Sequence, residues 1–148
     1  MSKLFSLAKI NLEHARMDFR KLADDDCYME TCCFALQQCI EFQLKGIVEL
    51  HGFEYAENHE IRSNLNILNR NNIEIPCEKE LRHMAGTLYQ WETESRYKDS
   101  FVAALEDIKE VFTYADKLFD YIGDRIQITE VSETDFPDKK LGSAGNDG

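Results

Sequence analysis

Gln37-Gln38-Cys39-Ile40-Glu41-Phe42-Gln43-Leu44-Lys45 sits inside a segment whose periodicity decides the fold. At about 100° per residue, Met29, Cys33, Leu36, Ile40, Leu44 and Ile47 fall on one apolar row. Cys32, Ala35, Cys39, Phe42 and Leu50 widen that arc to roughly 200°, against the roughly 100° of an ordinary surface helix. A helix so patterned is packed from more than one side. Gln37, Gln38, Glu41 and Lys45 occupy the remaining arc, with Glu41 four residues ahead of Lys45 in the favourable orientation for an ion pair. A solvated face is the plainest expectation for this line. Gln43 falls within the apolar arc, where its amide must find partners.

Working outward, the spacing predicts four more helices. The first covers about residues 3–22, with Leu4, Ala8, Leu12, Ala15, Phe19 and Leu22 as its stripe. Asp24, Asp25 and Asp26 then offer an N-cap for the central helix at 27–51, which Gly52 stops. A third helix is expected at 59–71, using Ile61, Leu65 and Leu68, with His59 at its opening as a capping residue. A fourth is expected at 78–93, using Leu81, Met84, Ala85, Leu88 and Trp91, followed by a charged break at 94–99. The fifth, at 100–124, carries Phe101, Leu105, Ile108, Phe112, Ala115, Phe119 and Ile122, flanked by Tyr114 and Tyr121. Residues 125–148 read as a flexible tail. The fold class is therefore all-α, an antiparallel up-and-down bundle of four to five helices in one domain.

Composition narrows function mostly by exclusion. The 148 residues carry a formal charge of −11, which argues against broad nucleic-acid binding or an anionic membrane surface. No segment has the length and apolarity to span a bilayer. Five cysteines without a Cys-x-x-Cys pair fit neither structural zinc nor a disulfide framework, and reduced thiols point to the cytoplasm. None of His14, His51, His59 and His83 forms a metal-binding pair, and no glycine-rich loop is present, so no metal and no cofactor are expected. One break stands apart: Arg96, Tyr97 and Lys98 precede a helix N-terminus. There a guanidinium can grip phosphate in a bidentate fork and a phenol ring can stack on a base or pack under the loop, a solvated, capped loop being the other reading.

The run from Ala35 to Gly46 is close to the pattern Gln-Gln-x-x-Glu-x-x-x-Lys. With Gly52, with His59 leading a helix that contains Leu65, and with Ser95-Arg96-Tyr97 before a long last helix, the chain resembles the HEPN family (higher eukaryotes and prokaryotes nucleotide-binding domain) over about residues 3–124. The resemblance implies a helical bundle, a homodimer, and either a nucleotide ligand or a small nucleotidyltransferase as protein partner. Several branches of that family are ribonuclease toxins in which an Arg is followed after four to six residues by a His. Here the matching stretch is Phe101, Val102 and Ala103, and no arginine has a histidine at that spacing. The expectation is a non-catalytic module with Gln38, Glu41, Lys45, Arg96 and Tyr97 as candidate nucleotide-binding residues. The alternatives are a metal-independent ribonuclease in which Arg96 acts without histidine, or a purely structural oligomerising domain.

Overall fold

A computed structural model describes residues 2–95 and 101–133, with side chains through Ile126. It contains five helices among the described residues: α1 (Lys3–Lys21), α2 (Cys27–Leu50), α3 (Ile61–Arg70), α4 (Glu78–Glu94) and α5 (Leu105–Glu133). No strand occurs among those residues. The central position of α2 is plain, because α1, α3, α4 and α5 all pack against it. Cys32, Cys33, Leu36, Cys39, Ile40, Leu44, Ile47 and Val48 are all fully buried, so the wide apolar arc is covered from several directions.

The α1 and α2 helices run antiparallel. Ser2 Oγ caps α1 by accepting from the Leu4 N–H at 3.2 Å and donates to Glu49 at the far end of α2 at 2.9 Å. Phe5, Ala8, Leu12 and Ala15 form the buried face of α1. The two alanines keep that face narrow, and Phe5 needs more room still. A Cβ on Gly46 would fall against the Phe5 ring, 2.7 Å from Cδ1, so the last residue of the Ala35–Gly46 run is a glycine because an aromatic ring of α1 occupies the space.

Local chemistry sets the ends of the helices. Asp25, rather than Asp26, receives the Cys27 N–H at 2.9 Å and starts α2. Gly52, at φ +87°, takes the left-handed turn that ends it. The α3 helix begins at Ile61, two residues later than expected. Asn58 Oδ1 accepts from the Glu60 N–H at 3.0 Å, while Asn64 bonds both the N–H and the C=O of Ala56, and these contacts fix the 53–60 connection as a loop. Ile61, Leu65 and Leu68 of α3 are buried as expected, as are Leu81, Met84, Ala85, Leu88 and Trp91 of α4.

The fifth helix departs from the expected pattern in two ways. It spans Leu105–Glu133 rather than 100–124, and its buried row is Ile108, Val111, Ala115, Leu118 and Ile122. Leu105 is left 48% exposed. Phe112 and Phe119 are only half-buried, and Phe112 meets Phe19 of α1 edge-on at 5.4 Å. The large aromatics thus fill the seam towards α1, and the slimmer β-branched and aliphatic side chains face α2. Tyr121, expected to flank the stripe, is buried, and its hydroxyl meets His51 Nε2 at 2.9 Å. No helix among the described residues is long and apolar enough to cross a membrane.

Candidate functional site

The polar line of α2 is not solvated. Gln37 is fully buried, Glu41 is 3% exposed and Lys45 is 6% exposed, while Gln38 is half-buried. This overturns the expectation of a water-facing line, and the reason is tertiary: the 53–60 connection and α3 lie over that side of α2. A carboxylate taken out of water must be paired and hydrogen-bonded, and Glu41 is both. Its Oε2 accepts from Lys45 Nζ at 2.9 Å. Its Oε1 accepts from Gln37 Nε2 at 3.0 Å and from Gln38 Nε2 at 3.5 Å. Gln38 also donates to the Gln37 carbonyl oxygen at 2.8 Å, so the two amides orient each other.

The fourth side chain on Glu41 comes from outside α2. His59 Nδ1 lies 3.2 Å from Oε1 and 3.1 Å from Oε2, bridging the carboxylate. His59 therefore does not cap α3, whose N-cap position is Glu60 and lacks a side-chain cap bond. It ties the 53–60 connection to the central helix instead, a correction to its reading as a helix-opening residue. Tyr55, from the same connection, places its ring 5.6 Å from Lys45 Nζ. Three α2 side chains and one loop imidazole thus converge on one buried carboxylate.

Of the candidate residues, Gln38, Glu41 and Lys45 are brought together, whereas Arg96 and Tyr97 lie outside the described residues. Ser95, the last described residue of that segment, is buried and donates to the Trp91 carbonyl. It lines an open cavity of about 930 Å³ between α1, the start of α2 and the end of α4. Phe34 and Ala35 of α2 form part of its wall, and Asp18, Asp25 and Glu30 contribute carboxylates. Since Phe34 and Gln38 are one turn apart, the cavity and the Glu41 cluster are about 6 Å apart along the same helix.

Sequence reasoning placed Gln37 on the polar line without including it in the site, and it missed the contact role of Tyr55 and His59. The available signal was indirect: a glutamate that helix packing buries needs donors, and a histidine just past a short connection is a natural source. Gln43 behaves as anticipated for one of its two ends. Its Nε2 donates to the Ala115 carbonyl of α5 at 2.9 Å, while Oε1 is buried with no hydrogen-bond partner among the described residues.

The three thiols buried in the core are poor nucleophiles. Burial pushes the Cys32 thiol up to about 12, helped by the Asp18 carboxylate, and burial likewise raises Cys33 and Cys39. Such thiols stay protonated and serve neither as nucleophiles nor as thiolate ligands. Exposed Cys27 is raised as well, first by its hydrogen bond to Asp25. Among the described residues, no group of three His, Cys, Asp or Glu side chains is placed to hold a metal ion.

Taken with the bundle, this buried polar cluster on a central helix defines an all-helical module whose polar residues sit at a seam between helix and loop. The family model for the HEPN domain matches residues 1–126, and the chain belongs to the HEPN family. No curated protein and no solved structure matches it.

Proposed function

We propose that this chain is a non-catalytic HEPN module that binds a nucleotide on the side of α2 that the 53–60 connection covers, with Arg96 and Tyr97 as further ligand residues. The observation that carries this reading is the convergence of Gln37, Gln38, Lys45 and His59 on buried Glu41. So many polar groups ordered around one carboxylate give a rigid, preorganised wall. Glu41 and Lys45 neutralise each other, so Lys45 has little charge to spend on a ligand. The phosphate then falls to Arg96, and base stacking to Tyr97. Arg96 directly follows Ser95, which lines the cavity whose wall also includes Phe34, one turn of α2 before Gln38. The lack of an Arg-to-His spacing supports a module without catalysis over a ribonuclease.

Calorimetric titration with nucleoside mono- and triphosphates tests the reading. Losing a charge-assisted contact costs on the order of 1.5–3 kcal/mol, so Arg96→Ala is expected to weaken binding roughly ten- to a hundredfold while the melting curve stays unchanged. A wild type that binds no nucleotide ends the nucleotide reading. A variant that binds as well as wild type moves the ligand elsewhere.

A protein-partner reading, with a small nucleotidyltransferase as the partner, is favoured by a different observation. Ile10 and Met17, seven residues apart on α1, are 48% and 46% exposed, and Met17 lines the carboxylate-edged cavity. Self-association belongs to the same reading. An apolar groove of about 410 Å³ runs between α1 and α5, floored by Phe5, Leu12, Ile122 and Ile126, and a two-fold dimer closes such a face. Light scattering at micromolar concentration is expected to return about twice the 17.2 kDa chain mass, and the single-chain mass would refute the dimer.

A further inference from the structure

The geometry around Glu41 points to a ligand contact at His59: we propose that its Nε2 accepts a hydrogen bond from a ribose hydroxyl of the bound nucleotide. The inference rests on the nucleotide reading above and names the atom and the ligand group.

A carboxylate only accepts, so the Nδ1 edge facing both Glu41 oxygens carries the ring proton. In the neutral imidazole the other nitrogen is then a bare acceptor. The side chain of His59 is 58% exposed although its partner Glu41 is 3% exposed, so one edge of the ring is anchored in the interior and the rest is presented to solvent. The backbone beneath it is held as well. Asn58 Nδ2 donates to Ser63 Oγ at 3.1 Å and Asn58 Oδ1 accepts from the Glu60 N–H, while Asn64 pins Ala56 in both directions. A carboxylate-held imidazole on a fixed loop is the arrangement that presets a tautomer and a direction for an incoming group. With the ring proton on Nδ1, the Nε2 edge is an acceptor, which a phosphate, itself an acceptor, does not match. It suits a hydroxyl donor, and the hydroxyls of a ribonucleotide are on its sugar.

Two measurements decide the matter. Long-range proton–nitrogen correlation at about pH 8, where imidazoles are ordinarily neutral, is expected to show His59 with its proton on Nδ1. A proton on Nε2 overturns the proposal. Titration with ribonucleoside triphosphates and their 2′,3′-dideoxy counterparts is expected to show about tenfold tighter binding of the ribose form, as for one hydrogen bond. His59→Asn keeps an N–H where Nδ1 stands but has no atom at the Nε2 position. It should therefore melt like wild type, lose about tenfold in ribonucleotide affinity and bind the two sugar types equally. If nucleotides bind and wild type does not distinguish the sugars, or His59→Asn distinguishes them as before, the His59 contact is wrong while the nucleotide site stands. If no nucleotide binds, the contact falls together with the reading beneath it.

Discussion

Ile40→Asp is expected to leave no cooperatively folded protein. Ile40 is fully buried at the centre of α2, the helix that every other helix touches. The substitution removes the branched aliphatic packing, which costs about 2–5 kcal/mol for a large-to-small change in a core. It also puts a carboxylate where Leu36, Leu44 and their neighbours offer no donor, adding several kcal/mol or forcing the group to stay protonated. The sum rivals the whole stability of an ordinary domain, about 5–15 kcal/mol. Far-ultraviolet circular dichroism followed through a thermal scan is the measurement. A soluble variant with full helicity and a sharp melt would refute the placement of Ile40 in the core.

Lys45→Met is expected to cost about 3 kcal/mol, read as a shift in the midpoint of denaturant unfolding at constant slope. Methionine fills much of the aliphatic space of lysine, so the loss is mainly the ammonium that pairs with Glu41 at 2.9 Å. Removing one partner of a buried pair leaves the other charge uncompensated, with a general cost of about 3–5 kcal/mol. Gln37, Gln38 and His59 still donate to Glu41, which places the value at the lower end. Combining the substitution with Glu41→Gln removes the orphaned charge, and the double variant should recover more than half of the loss. Additive costs would show instead that the two side chains are not coupled, which the burial of both contradicts.

The helices, their order and the central place of α2 are all legible in the spacing of apolar residues. An apolar arc of that width requires packing from several sides, and the cores of α3 and α4 followed from spacing alone because each has one buried face. The run Gln-Gln-x-x-Glu-x-x-x-Lys, with its closing Gly46, also carried the family. Which polar groups are inside depends instead on how the elements pack together. Periodicity reports the faces of one helix, whereas burial of Glu41 and Lys45 depends on a connection eight or more residues further along that folds back over them. His59 could be read locally only as the opening of α3, since its partner lies eighteen residues away on a different element. The same limit moved the buried row of α5 to Ile108, Val111, Ala115, Leu118 and Ile122. Two adjacent apolar stripes on one helix are equivalent until neighbouring helices assign one to α2 and the other to α1.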